Sequence, residues 1–194
     1  MGRYSCFNKQ QVLADALDLF WERGFASTSL KQLEDVTGMH PGSLYYHFKN
    51  KEQLYLACLR HYIQWHLQPK IERYLIYTAG VEGLRRFFTS GYRHQADYAF
   101  RNSCFLVHAS NELHLLPDES SVMVQEGLEM IRSGLLMYLK TEQEKNHLPI
   151  LNQQIVVNEL INLYLSIQLQ ARITPNQHRL DRQIKLCLNN LILP

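Results

Sequence analysis

Apolar residues recur along this chain at helical spacing, and the alternating pattern of strands is scarce. Leu13, Ala16, Leu17 and Phe20 fall at i, i+3, i+4 and i+7, which lays one apolar stripe along a first helix. Asn8 is placed to cap its start, and Gly24 to supply the left-handed residue past its end. Ser29 stands three residues before Gln32, a capping-box spacing, and Leu30, Leu33 and Val36 give a second helix its inward face. Gly38 breaks that helix. His40-Pro41 opens a short third helix over 41–47, because proline suits the first helical position. Asn50-Lys51-Glu52 reads as the cap of a long helix running from 51 to 65 or beyond, with Leu54, Ala57, Cys58 and His61 on one face.

After Pro69 the pattern loosens into a helix over 71–78, a break at Gly80 to Gly83, and helices over 81–94 and 104–115. Leu116-Pro117-Asp118 ends the last of these. Two longer amphipathic stretches follow, over about 120–142 and 151–172, separated by His147-Leu148-Pro149. Thr174-Pro175 opens a final segment in which Leu180, Ile184, Leu188 and Leu191 keep helical spacing. The expected fold is therefore all-α. An N-terminal helix-turn-helix unit over 1–50 leads through a connecting helix into a larger helical body over 51–194.

Composition narrows the class. Of 194 residues, 46% are hydrophobic and 20% charged, enough for a packed core and unlike a disordered chain. The four cysteines (Cys6, Cys58, Cys104 and Cys187) are widely spaced, which fits a reducing cytoplasm better than a disulfide scaffold. The polar start MGRYSCFNKQ lacks an apolar signal region, and no run approaches the ~20 apolar residues a membrane span needs. The expectation is a cytoplasmic protein with no membrane partner. Glycine-rich phosphate loops, nucleophile elbows and HExxH motifs are absent, so no enzyme and no cofactor is expected. His108 and Glu112 share a helix face, but one pair is short of the three or four ligands of a metal site.

Net charge is only +2, and the first sixty residues set seven basic groups against six acidic ones. A nucleic-acid partner would have to be read from where groups sit. In a helix-turn-helix the second helix enters the major groove and its first residues meet base edges. Here that helix begins Pro41-Gly42-Ser43, small residues that let backbone approach phosphate, and continues with Tyr45, Tyr46 and His47, which can donate to phosphates or base edges. Lys49 and Lys51 can neutralise phosphate. The same geometry also serves as a plain structural corner. Leu44 and Phe48, at i and i+4, read as core.

The run from Gly38 to Glu52, GMHPGSLYYHFKNKE, resembles the signature of the TetR family of transcriptional regulators: glycine, an apolar residue, two variable positions, a small residue, Ser or Thr, Leu-Tyr-Tyr-His-Phe, then Lys-x-Lys-Glu. Arg23-Gly24-Phe25 through Thr28-Ser29-Leu30 matches the family's entry into its second helix, and the resemblance covers about residues 8–60. It implies an all-helical homodimer of nine or ten helices that represses transcription until a small effector binds the body. It maps DNA contacts to Thr28, Ser29, Lys31, His40, Gly42, Ser43, Tyr45, Tyr46, His47 and Lys51, on a near-palindromic double-stranded operator. Glu34 departs from the small residue common at that position.

The resemblance also implies a dimer through two long helices, by position those over 120–142 and 151–172. Their apolar residues are Val122, Met123, Leu128, Ile131, Leu135, Ile155, Val156, Leu160, Leu163, Tyr164 and Ile167. An effector pocket between the connecting and middle helices would draw on Tyr62, Trp65, Phe87, Phe88, Tyr92, Phe100, Phe105, His108, Glu112, Tyr164 and Gln168, aromatic walls with a few polar groups. Asn102-Ser103-Cys104-Phe105-Leu106 resembles the Gly-Cys-Leu helix start of a TetR subgroup with electrophile sensors, with Ser103 in place of the glycine. Cys104 is accordingly a candidate redox sensor.

Overall fold

The computed structural model describes residues 8–93, 96–148, 152–174 and 176–192. Cys6, His94, Pro149, Leu151 and Pro175 lie outside the described residues. Among those described there are ten α-helices and no strand. Helix α1 spans Lys9–Arg23, capped by the Asn8 side chain, which accepts from the N–H groups of Gln10 and Gln11. Helix α2, Leu30–Thr37, starts with the reciprocal Ser29–Gln32 capping box and ends at Gly38 with φ 65°. Helix α3, Pro41–Phe48, starts at its proline. Helix α4, Lys51–Tyr62, starts under Asn50, whose side chain accepts from the Gln53 N–H. These starts and stops fall where local hydrogen-bonding chemistry puts them.

The middle of the chain departs from the pattern. Helix α4 does not stop before Pro69. It continues as a π-helical turn, Ile63–Leu67, into α5, Gln68–Leu75. Proline has no N–H to give the preceding turn, and a widened turn is a way to carry the helix past it. Helix α6, Gly80–Thr89, is shorter than expected. A 3-10 turn, Ala96–Arg101, precedes α7, and α7 itself, Phe105–Ser110, is followed by a second 3-10 turn, Leu113–Leu115. Helices α8, Asp118–Glu144, and α9, Gln153–Ile173, are the long amphipathic pair, and α10, Gln177–Ile192, is a full final helix.

Helices α1 to α4 share a core of Leu13, Ala16, Leu17, Phe20, Leu33, Leu44, Phe48, Leu54 and Tyr55. Helix α1 packs most closely on α4, α8 packs on α9, and α10 lies against α6 and α9. Leu180, Ile184 and Leu188 of α10 are buried as their spacing predicts, but the stripe closes on Ile192, and the expected Leu191 is only partly buried.

The residues expected to join subunits are mostly used inside one. Met123, Ile131, Leu135, Val156, Leu160, Leu163, Tyr164 and Ile167 are buried in the core, Leu128 is partly buried, and only Val122 and Ile155 are exposed. The apolar residues left outward on α9 are Leu165, Leu169 and Ile173, with Ile155 at its start, and α10 presents Leu186. No described helix is long and apolar enough to cross a membrane.

Candidate nucleic-acid interface and body cavity

Helix α3 turns only Leu44 and Phe48 inward. Gly42, Ser43, Tyr45, Tyr46 and His47 are all exposed, as is His40 at its N-cap. Tyr46 is 85% exposed and Tyr45 45%. The Tyr46 and His47 rings meet edge-on, with centroids 5.2 Å apart. The exposed N-terminus of α3 carries the positive end of the helix dipole, suited to an anion such as phosphate, although Pro41 has no N–H and the Ser43 and Leu44 N–H groups donate to the His40 carbonyl.

The flanking residues divide. Lys31 is exposed beside Asp35, 3.1 Å away, and that pairing raises its pKa. Ser29 is exposed, but its side chain is occupied as the α2 cap. Thr28 is not a surface group: it is 1% exposed and donates to the Gly24 carbonyl at 2.6 Å. Lys51 donates to the carbonyls of Phe25 and Thr28, 2.8 Å each, and lies 4.1 Å from the Phe25 ring centroid. Burial lowers its pKa. Both side chains therefore shape the approach to α2. Only their backbones or a rearranged Lys51 could meet phosphate.

Within the body, a cavity of about 300 Å³ lies between α1, the α4–α5 helix, the segment before α7, and α9. It brings together Tyr62, Trp65, Tyr164, Gln168 and Cys104 from the expected set. The other expected residues go elsewhere. Phe105 is core. Phe87 stacks on Tyr164, centroids 5.7 Å apart. Tyr92 donates to Asp181 at 2.5 Å. His108 is buried outside the lining, and burial, with Arg172 nearby, lowers its pKa to about 4. Glu112 does not face the cavity at all. Its carboxylate accepts from the backbone N–H groups of Phe25 (2.9 Å) and Ala26 (3.2 Å), tying the end of α7 to the turn after α1.

Sequence reasoning missed Trp21, Lys70 and Ser103 in the lining. Trp21 belongs to a helix whose stripe reads as head core, and Lys70 follows a proline that reads as a helix break. No local pattern marks either. The Tyr62 hydroxyl donates to the Cys104 sulfur at 3.2 Å.

Residues 12–58 match the sequence profile of the bacterial regulatory proteins of the tetR family. The chain is 42% identical over 62 residues to the HTH-type transcriptional repressor ComR of Escherichia coli (strain K12), a match spanning 32% of this chain and 30% of ComR. Its fold is similar to that of a cysteine mutant of the TetR family transcriptional regulator CifR solved with 26-bp double-strand operator DNA. The TM-score is 0.80 at 21% identity, over 96% of this chain and 98% of that one. A TetR family regulator from Agrobacterium tumefaciens superposes with TM-score 0.81 at 20% identity, over 95% of this chain and 100% of that one. These relatives are regulators rather than enzymes. The N-terminal segment over 12–58 is thus similar in sequence to the DNA-binding part of tetR family regulators, and the whole chain has the fold of solved regulators of that family, while the sequence match spans about a third of ComR's length.

Proposed function

We propose that the protein is a DNA-binding transcriptional regulator, a homodimeric repressor that leaves a near-palindromic operator when a small effector binds its body. The carrying observation is α3, which turns two apolar residues inward and keeps Gly42, Ser43, Tyr45, Tyr46 and His47 outward. Contacts at Tyr45 and His47 supply affinity, His40, Gly42 and Ser43 meet base edges, and Lys31 sits at the phosphate flank. ComR is named as a repressor, and CifR was solved on operator DNA, which supports carrying both readings to this chain. The assignment places residues 1–50 in the DNA-binding unit and 51–194 in the effector-binding and dimerisation unit, working in the cytoplasm where the DNA is.

The dimer, expected on the helices over 120–142 and 151–172 (α8 and α9), is assigned instead to α9 and α10, whose outward Leu165, Leu169, Ile173 and Leu186 are apolar residues left free for a partner, the named residues of α8 and α9 being mostly used within the subunit. Cys104, in the cavity wall, is positioned to meet a thiol-reactive ligand. A Cys104→Ser variant should then lose any response to alkylating electrophiles, and an unchanged response would exclude the role.

A gel shift with DNA upstream of the gene tests the central reading. Binding at low salt is expected, and a Tyr45→Ala/His47→Ala variant that folds and dimerises should lose roughly tenfold or more in affinity. Normal binding by that variant would rule out α3 as the recognition helix.

A further inference from the structure

The body cavity is lined by more polar groups than its walls satisfy. Gln168, 1% exposed, has neither amide nitrogen nor amide oxygen hydrogen-bonded. The Ser103 hydroxyl and the Trp21 indole nitrogen are likewise buried and unpartnered. All three residues line the cavity. Buried polar groups are ordinarily paired, so several orphans around one hollow mark a place where partners arrive from outside the chain. Tyr55, His108 and Ser120 also carry a buried unpartnered atom, but none of them lines this cavity.

Lys70 adds a charge to that wall. Its ammonium lies 4.7 Å from the Phe87 ring centroid and 5.5 Å from that of Tyr164. Ring faces favour a cation but do not neutralise it. Arg73 and Arg101 line the cavity too, and no aspartate or glutamate does. Arg101 is already bound by Asp18 of α1, and Arg73 lies over the Tyr74 ring. Lys70, like Arg73, has no carboxylate partner among the described residues, and it is the one whose ammonium lies against the aromatic wall of Phe87 and Tyr164. Burial lowers its pKa to about 8, the direction expected of a partly buried ammonium with no carboxylate beside it.

The rest of the wall is aromatic. Trp21, Tyr62, Trp65 and Tyr164 surround a volume at the lower end of ordinary ligand pockets. We propose that the cavity takes a small planar arylcarboxylate, its carboxylate on the Lys70 ammonium, its ring against Trp21 and Trp65, and a second polar group on Gln168 and Ser103. This rests on the reading of the body as an effector-binding unit and narrows it to a ligand class. A cationic ligand is disfavoured by three basic side chains with no facing acid, and a purely apolar one would leave Gln168 unpartnered.

The test is calorimetric titration of the full chain, without DNA, with benzoate, 2-naphthoate and indole-3-acetate, each beside its neutral amide. Saturable binding of at least one carboxylate, tenfold or more tighter than its amide, is expected. Lys70→Met should abolish that preference and Lys70→Arg should keep most of it. Gln168→Leu should weaken carboxylate binding at least threefold while raising the melting temperature of the free protein, because it removes an unsatisfied buried amide. It also serves as the second probe if Lys70→Met fails to fold. Equal affinity for acid and amide, no binding of any carboxylate, or a Gln168→Leu variant that is destabilised with binding unchanged would overturn the proposal. Loss of the gel shift described above would sink the regulator reading and leave this site standing, so the two fail separately.

Discussion

Gly24 holds φ at 82° with ψ at 169°, a region essentially closed to other residues. A Cβ there would also come within 2.8 Å of a Glu112 carboxylate oxygen. The two positions are one device: the missing side chain lets the Glu112 carboxylate reach the N–H groups of Phe25 and Ala26. Glu112→Gln should cost about 1–2 kcal/mol, as charge-assisted bonds to two backbone donors are weakened. Gly24→Ala should cost more, through strain and collision together. Urea unfolding of both variants checks the order. His108 gives a pH signature. Its folded pKa of about 4 lies below the ordinary histidine value near 6.5. Between those values the unfolded chain takes up a proton that the folded chain refuses. This contribution is therefore intact above the ordinary value and lost as pH falls toward the folded one. By linkage it amounts to about 2 kcal/mol near pH 5. A His108→Leu variant should show a flatter fall in urea midpoint between about pH 7 and pH 5.

At the scale of elements, α2 and α3 are short and owe much to their ends. Ser29→Ala removes the capping box of α2 and should lower stability by about 1 kcal/mol. If Ser29 also touches DNA, the variant loses operator affinity beyond what its unfolded fraction explains, which a gel shift well below its melting temperature reads. The continuous α4–α5 helix is the element on which both ends of the molecule meet. Its N-terminal half packs on α1, and its C-terminal half supplies Trp65 and Lys70 to the cavity. The N-terminal unit and the cavity thus share one long helix, interrupted by a π turn.

At the scale of the molecule, the N-terminal unit is pinned to the body by polar contacts as well as by packing. Arg101, in the turn before α7, clasps Asp18 of α1 with Nε at 2.9 Å, and Glu112 holds the turn after α1. Changes in the cavity wall, which includes Arg101 and Trp21, have a direct route to α1. The outward stripe of Leu169 and Ile173 on α9, with Leu186 on α10, is where a second subunit would bury apolar surface. Leu169→Glu should convert a dimer to monomers in analytical ultracentrifugation and weaken operator binding, since a palindrome rewards two linked heads. A Leu169→Glu dimer as tight as the parent would move the interface elsewhere.

The head was legible in the residues because its determinants are local. The Asn8, Ser29 and Asn50 caps, Gly24, Gly38 and Pro41 act within a few positions of themselves, and Leu44 and Phe48 needed only helical spacing to be placed inward. The outward face of α3 followed from the same spacing. What spacing cannot say is what a side chain meets across the core. Thr28 and Lys51 share the head's sequence motif yet turn to backbone carbonyls, and Glu112 leaves its expected pocket for amides 86 and 87 positions away in the chain. Trp21, Lys70 and Ser103 join one cavity only because α1, the α4–α5 helix and the segment before α7 converge on it. The helix boundaries of the N-terminal unit and the outward face of α3 were therefore determined by the sequence itself. The residues shared between head and body, the cavity and its charge were decided by tertiary packing, because they depend on contacts between segments far apart in the chain.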